Sequence, residues 1–119
     1  MIKEFMKLKG IVSEAPYVDC IIGECHFIAR LDSGADISIV PRECVAEKIL
    51  LNPITIRIGD GEIKHVWTIK VKISITELGT FTPEKGVLLT DDSKGLIGMD
   101  ILNQCYIAME GGVFILELR

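Results

Sequence analysis

From Ile63 to Ile75 the residues alternate. Ile63, His65, Trp67, Ile69, Val71, Ile73 and Ile75 share one face of an extended chain, and Lys64, Thr68, Lys70, Lys72 and Ser74 share the other, with Val66 alone out of place. A helix repeats every 3.6 residues or so, which is about the wrong period for this pattern; period two specifies a strand with one buried face. A second alternating run, Ile54, Ile56 and Ile58, precedes it, and Gly59-Asp60-Gly61 separates the two. The pair therefore reads as one long β-hairpin with a glycine-bearing tip.

The rest of the chain follows the same class. Residues 5–13, Tyr17–Ile22, 25–32, 80–82, 86–90 and 113–118 read as strands, with turns at Gly23-Glu24 and Glu77-Leu78-Gly79. Pro41 suits the first position of a short helix running to about Lys48. Asp100 suits the cap of another, running to about Cys105. The apolar content is 49% but the aromatic content only 6%, so the core rests on aliphatic residues, many of them the β-branched Ile and Val that favour strands. The fold class expected is all-β, as a single domain over residues 1–119 with one or two brief helices.

Several function classes drop out. The net charge is -4 and no basic tract or stripe is present, which argues against a nucleic-acid partner. Asp100 and Glu110 interrupt the C-terminal apolar stretch, and none reaches the roughly 20 residues of a membrane span. Met1–Gly10 has lysines without a following apolar run, unlike a secretory signal. A soluble, cytoplasmic protein is expected, with Cys20, Cys25, Cys44 and Cys105 as reduced, buried thiols. Cys20, Cys25-His26 and Cys44 lack paired metal-ligand spacing, and neighbours in a strand point to opposite faces. No metal and no cofactor is assigned. His26 and His65 have no recognisable nucleophile and third partner, so a Ser–His triad is not visible.

The chemistry-bearing feature is Leu31-Asp32-Ser33-Gly34-Ala35. An acid ends an apolar strand, and a hydroxyl residue and a glycine follow. Glycine lets backbone approach closely, and a hydroxyl can tie the loop to main chain. Asp-Ser-Gly by itself is an ordinary turn. Its flanks are not those of a surface turn, since Phe27-Ile28-Ala29 precedes it and Ile37-Ser38-Ile39-Val40 follows. Arg30 lies two residues before Asp32 and so points to the same side of an extended strand. A cation there would favour acidic substrate side chains; the plainer reading has it reaching solvent or a subunit contact.

Taken together, these elements resemble the retropepsin family, the dimeric aspartic proteases of retroviruses and their cellular relatives. The family's apolar-Asp-Thr/Ser-Gly-Ala element is Leu31-Asp32-Ser33-Gly34-Ala35 here. Its later apolar-apolar-Gly element before a short helix is Leu96-Ile97-Gly98-Met99-Asp100-Ile101-Leu102, and its flap is the hairpin tipped by Ile58, Gly59, Asp60 and Gly61. Order and spacing agree from about residue 10 to 118. The resemblance implies a closed, barrel-like β-fold and a homodimer acting on a peptide or protein substrate. Asp32 would be the catalytic carboxylate, sharing a proton with its counterpart. Ser33 would clasp the partner's loop, and Gly34 would bond substrate backbone with help from Asp36. Ala35, Ile39, Leu96 and Ile97 would line the substrate site, and residues 113–118, with residues near the N-terminus, would build an intersubunit sheet. One departure concerns Asp36: retroviral members often carry an Arg after the late glycine to pair with it, and here that position is Met99. The alternative is a module that keeps this fold for peptide binding or dimerisation without proteolysis.

Overall fold

The computed structural model describes residues 7–11, 16–45, 50–57 and 61–119. Among these residues twelve strands make three sheets. The largest holds β2 (Tyr17–Ile22), β3 (Cys25–Leu31), β4 (Ile39–Pro41), β7 (Ile73–Ile75), β8 (Gly79–Phe81), β9 (Leu88–Thr90) and β10 (Lys94–Ile97), in the order β8-β7-β2-β3-β10-β4-β9. It curls into a half-barrel. The second sheet, β1 (Lys7–Ile11), β12 (Val113–Leu118) and β11 (Cys105–Glu110), has β12 in the middle. The third is the hairpin of β5 (Leu50–Arg57) and β6 (Ile63–Ile69).

Alternation decides what is buried. In β3, Phe27, Ala29 and Leu31 point into the core while His26, Ile28 and Arg30 stay exposed. Ile73 and Ile75 of β7, Ile97 of β10 and Phe114 and Leu116 of β12 meet those residues in one apolar cluster. Each fully buried aliphatic side chain there contributes roughly 1.5–3 kcal/mol. Two short helical pieces close the ends: a 3-10 turn at Arg42–Cys44 and α1 at Met99–Leu102.

Several expectations from the sequence are corrected. The alternating run does not form one half-buried strand: it breaks at Lys70–Lys72, where pairing passes from β5 to the large sheet. Ile63 and Trp67 of β6 are exposed by 55% and 56%, while Thr68 and Ile69 at its end are buried. The hairpin joins the large sheet through reciprocal Ile69 and Val87 backbone bonds of 2.9 Å. Pro41 ends a strand rather than opening an α-helix, and the 3-10 turn after it stops at Cys44. Asp100 lies inside α1 and Gly98 holds the cap position. Residues 105–110 pair as a strand, and β12 consequently has β1 on one side and β11 on the other. A strand paired on both edges cannot also be the edge offered to a second subunit.

The thiols differ as well. Cys25 and Cys44 form a disulfide with a Cα–Cα distance of 5.3 Å. It ties the start of β3 to the 3-10 turn, two segments that the fold, not the spacing, brings together. Cys20 and Cys105 remain free and buried. Burial pushes the Cys20 thiol up to about 12, with the Asp19 carboxylate adding in the same direction. Burial also raises Cys105, opposed by the charge of Arg119. Since the thiolate is the reactive form, the native protein is expected to resist alkylation near neutral pH at both sites. Reductant should add label at Cys25 and Cys44 alone. Peptide mapping by mass spectrometry checks this; label on Cys20 before unfolding would contradict it.

Candidate active site

β3 and β10 run parallel as neighbours, and β4 lies antiparallel on the far side of β10. The loop from β3 to β4 must therefore cross over the end of β10. Asp32 opens that crossing. Its N–H donates to the Ile97 carbonyl at 2.9 Å, which carries the β3–β10 ladder one step past the strand. The Ala35 N–H turns back to the Asp32 carbonyl at 3.2 Å, and the Gly34 N–H donates to Asp32 Oδ1 at 2.9 Å. Asp32 Oδ2 lies 3.5 Å from Arg30 Nη2. The Asp32 side chain is 33% exposed, so its carboxylate is oriented by the loop and still open to solvent.

Ser38 and Asp100 pin this crossing down. The Ser38 N–H donates to Asp100 Oδ2 at 2.9 Å and its hydroxyl to Asp100 Oδ1 at 2.6 Å. The Ser38 oxygen in turn accepts the Gly98 N–H at 3.0 Å. Alongside, the Met99 N–H donates to the Ala35 carbonyl at 2.7 Å. A Cβ at Gly98 would stand only 2.7 Å from the Ala35 carbonyl oxygen. Glycine is thus the residue that lets β10 end directly beneath the loop. Neither Ser38 nor the clamping role of Asp100 was deduced from sequence. The available signal was a serine inside an apolar run, Ile37-Ser38-Ile39-Val40, where burial obliges the hydroxyl to find a partner.

A groove of about 410 Å³ reaches Arg30 beside Asp32 and is lined by Tyr17, Ile39, Lys94 and Leu96 among others. Ile39 and Leu96 are register partners and both are half-buried, as liners of a cleft should be. Ile97 is corrected: it is fully buried and faces the core, because it alternates with Leu96 on β10. Ser33 lies exposed on the turn. Ala35 is half-buried beside the crossing. Asp36 is exposed and has no ion pair among the described residues, while Met99 and Lys85 line a neighbouring shallow pocket with it. At the hairpin tip Gly61 has φ 87°, a conformation suited to glycine. Ile58, Gly59 and Asp60 lie outside the described residues. Of the cysteine and histidine candidates for a metal, Cys25 and Cys44 are used by the disulfide.

The fold has solved counterparts. A retropepsin-like aspartic protease from Rickettsia conorii superposes with a TM-score of 0.70 at 18% identity, covering 99% of this chain and 98% of that one. The chain has the retropepsin fold. The foamy viral protease-reverse transcriptase, solved in complex with an RNA/DNA hybrid, gives a TM-score of 0.59 at 12% identity over 78% of this chain. There the match spans 12% of the viral chain. No protein-family model matches, and no curated protein sequence does. The likeness is therefore one of overall architecture. No helix among the described residues is long and apolar enough to cross a membrane.

Proposed function

We propose that this chain is one half of an aspartic endopeptidase, with Asp32 contributed by each of two copies. The observation that carries the reading is the Asp32 carboxylate, held by the Gly34 N–H at 2.9 Å at the strand crossing of a retropepsin fold. Two such carboxylates close together cannot both ionise easily, so the pair holds one proton. The ionised member takes a proton from water as the oxygen attacks the peptide carbonyl. The protonated member passes its proton toward the amide, the C–N bond breaks, and the amine leaves. In this reading Ser33 meets its counterpart across the two-fold axis. Gly34, Ala35 and Asp36 border the substrate backbone, Ile39 and Leu96 supply apolar contact, and the hairpin carrying Gly61 covers the cleft.

The second copy docks through the three-stranded sheet. β1 and β11 are the two outer strands of that sheet among those described, and β11 carries exposed Tyr106, Ile107 and Met109. An edge with unpaired backbone and apolar side chains suits a self-complementary two-fold contact. A mixed peptide library tests the activity. Mass spectrometry in heavy-oxygen water should find peptide bonds cut with one solvent oxygen incorporated into the new carboxylate. An untouched library would favour the peptide-binding module.

A further inference from the structure

Resting on that reading, we infer that the groove beside Asp32 selects an acidic side chain, Glu or Asp, next to the bond to be cut. The register of the large sheet builds the recognition surface. Tyr17 pairs with Arg30, Arg30 with Leu96, Leu96 with Ile39 and Ile39 with Leu88. These residues form a row on one face across β2, β3, β10, β4 and β9. Three of these five, Leu96, Ile39 and Leu88, are an aliphatic floor. Arg30 brings charge to the other end, beside the Tyr17 ring.

Two cations share that end. Arg30 Nη2 is 3.5 Å from Asp32 Oδ2, and the Arg30 side chain is 50% exposed. A guanidinium has five N–H donors in a planar fork, so contact with one Asp32 oxygen leaves donors for a second carboxylate. Lys94 lies two residues before Leu96 and on the same face. Its ammonium sits 5.0 Å from the centre of the Tyr17 ring, an aromatic contact that leaves its full positive charge in the groove. The anions were weighed too. Asp92 lines the groove and opposes the two cations. Asp91 is engaged by Arg42 at 2.9 Å. Asp19, opposite Ile28 in the β2–β3 ladder, is two register pairs from Arg30; it shares the cross-strand row of Lys94 but does not line the groove. The lining therefore has two cations against one anion. Because Arg30 touches the catalytic carboxylate itself, a side chain it binds must belong to a residue adjoining the scissile bond.

The test uses three peptides that differ at one position flanking the cleaved bond, carrying Glu, Gln or Lys. For the wild-type dimer kcat/KM should favour Glu over Gln by about tenfold or more, with Lys lowest, since a charge-assisted pair outweighs a neutral one by roughly 1.4 kcal/mol. Lys94→Gln should bring the Glu/Gln ratio of kcat/KM down several-fold, whatever it does to the absolute rate on each peptide. Arg30→Leu should remove the preference too, with any effect of its contact to Asp32 appearing on all three peptides alike. Added salt should erode the ratio. A wild-type ratio near one, or a ratio that survives both substitutions, would overturn the inference. If no peptide is cut, the peptidase reading fails instead. The charge reading is then decided by calorimetry on the same three peptides with Asp32→Asn protein, where equal affinities would overturn it.

Discussion

Asp32→Asn is expected to lower the rate of peptide hydrolysis by about a thousandfold or more, in line with the loss of general acid–base catalysis. The amide is nearly the same shape as the carboxylate, and its Oδ1 can still accept the Gly34 N–H that holds it at 2.9 Å. What it cannot do is take a proton from water. The ion pair with Arg30 disappears, but both partners are exposed enough that it contributes under about 1 kcal/mol to stability. The variant should therefore unfold at nearly the wild-type denaturant midpoint and keep its association state. Initial rates on the best library peptide, measured beside urea melts, separate catalysis from folding. Unchanged hydrolysis in a well-folded variant would remove Asp32 from the chemistry.

Asp100→Ala is expected to destabilise the fold by about 2–5 kcal/mol, because it strands buried donors at roughly 1–3 kcal/mol each. Asp100 accepts both the Ser38 N–H and the Ser38 hydroxyl, and Ser38 is fully buried. Both groups lose their protein acceptor once the carboxylate is gone. The loop that presents Asp32 would also lose its tether to α1, so activity should fall further than stability alone requires. Asp100→Asn keeps one acceptor oxygen for the Ser38 N–H and should cost markedly less. Urea denaturation reads the difference as a shift in midpoint at constant slope. An Asp100→Ala protein as stable as wild type would show that the clamp does not hold the crossing.

Local pattern told more than composition about this chain. Tyr17–Ile22 and 113–118 match β2 and β12 because short apolar runs bounded by turns have one strand solution. Asp32 stood out because an acid, a hydroxyl residue and a glycine at a strand end lie in apolar flanks. What the pattern could not supply was long-range pairing. Alternation through Ile63, Trp67 and Ile73 is continuous in sequence, yet Ile73, within the large sheet, is buried in the core while Ile63 and Trp67 on the hairpin are exposed. Cys25 and Cys44 meet only because β10 separates β3 from β4 and the loop between them must return. Ser38 and Asp100 are likewise distant in sequence and joined by the same crossing. Tyr17, Arg30, Lys94 and Leu96 form one surface only when strand order is known; Arg30 alone hinted at it.

The account turns on two chains sharing one site. Among the described aspartates Asp32 is the one whose carboxylate the Gly34 N–H holds at the end of β3; Asp36 lies further along the same loop, and Asp100 is taken up by Ser38. In the proposed mechanism the second carboxylate comes from another copy. Sedimentation and hydrolysis measured on one dilution series test this most directly. Activity per mole of chain should fall in step with the dimer fraction, and Met109→Lys on the β11 edge should move both curves together to higher concentration. A monomer that keeps full activity per mole at every dilution would contradict the shared site and the mechanism built on it.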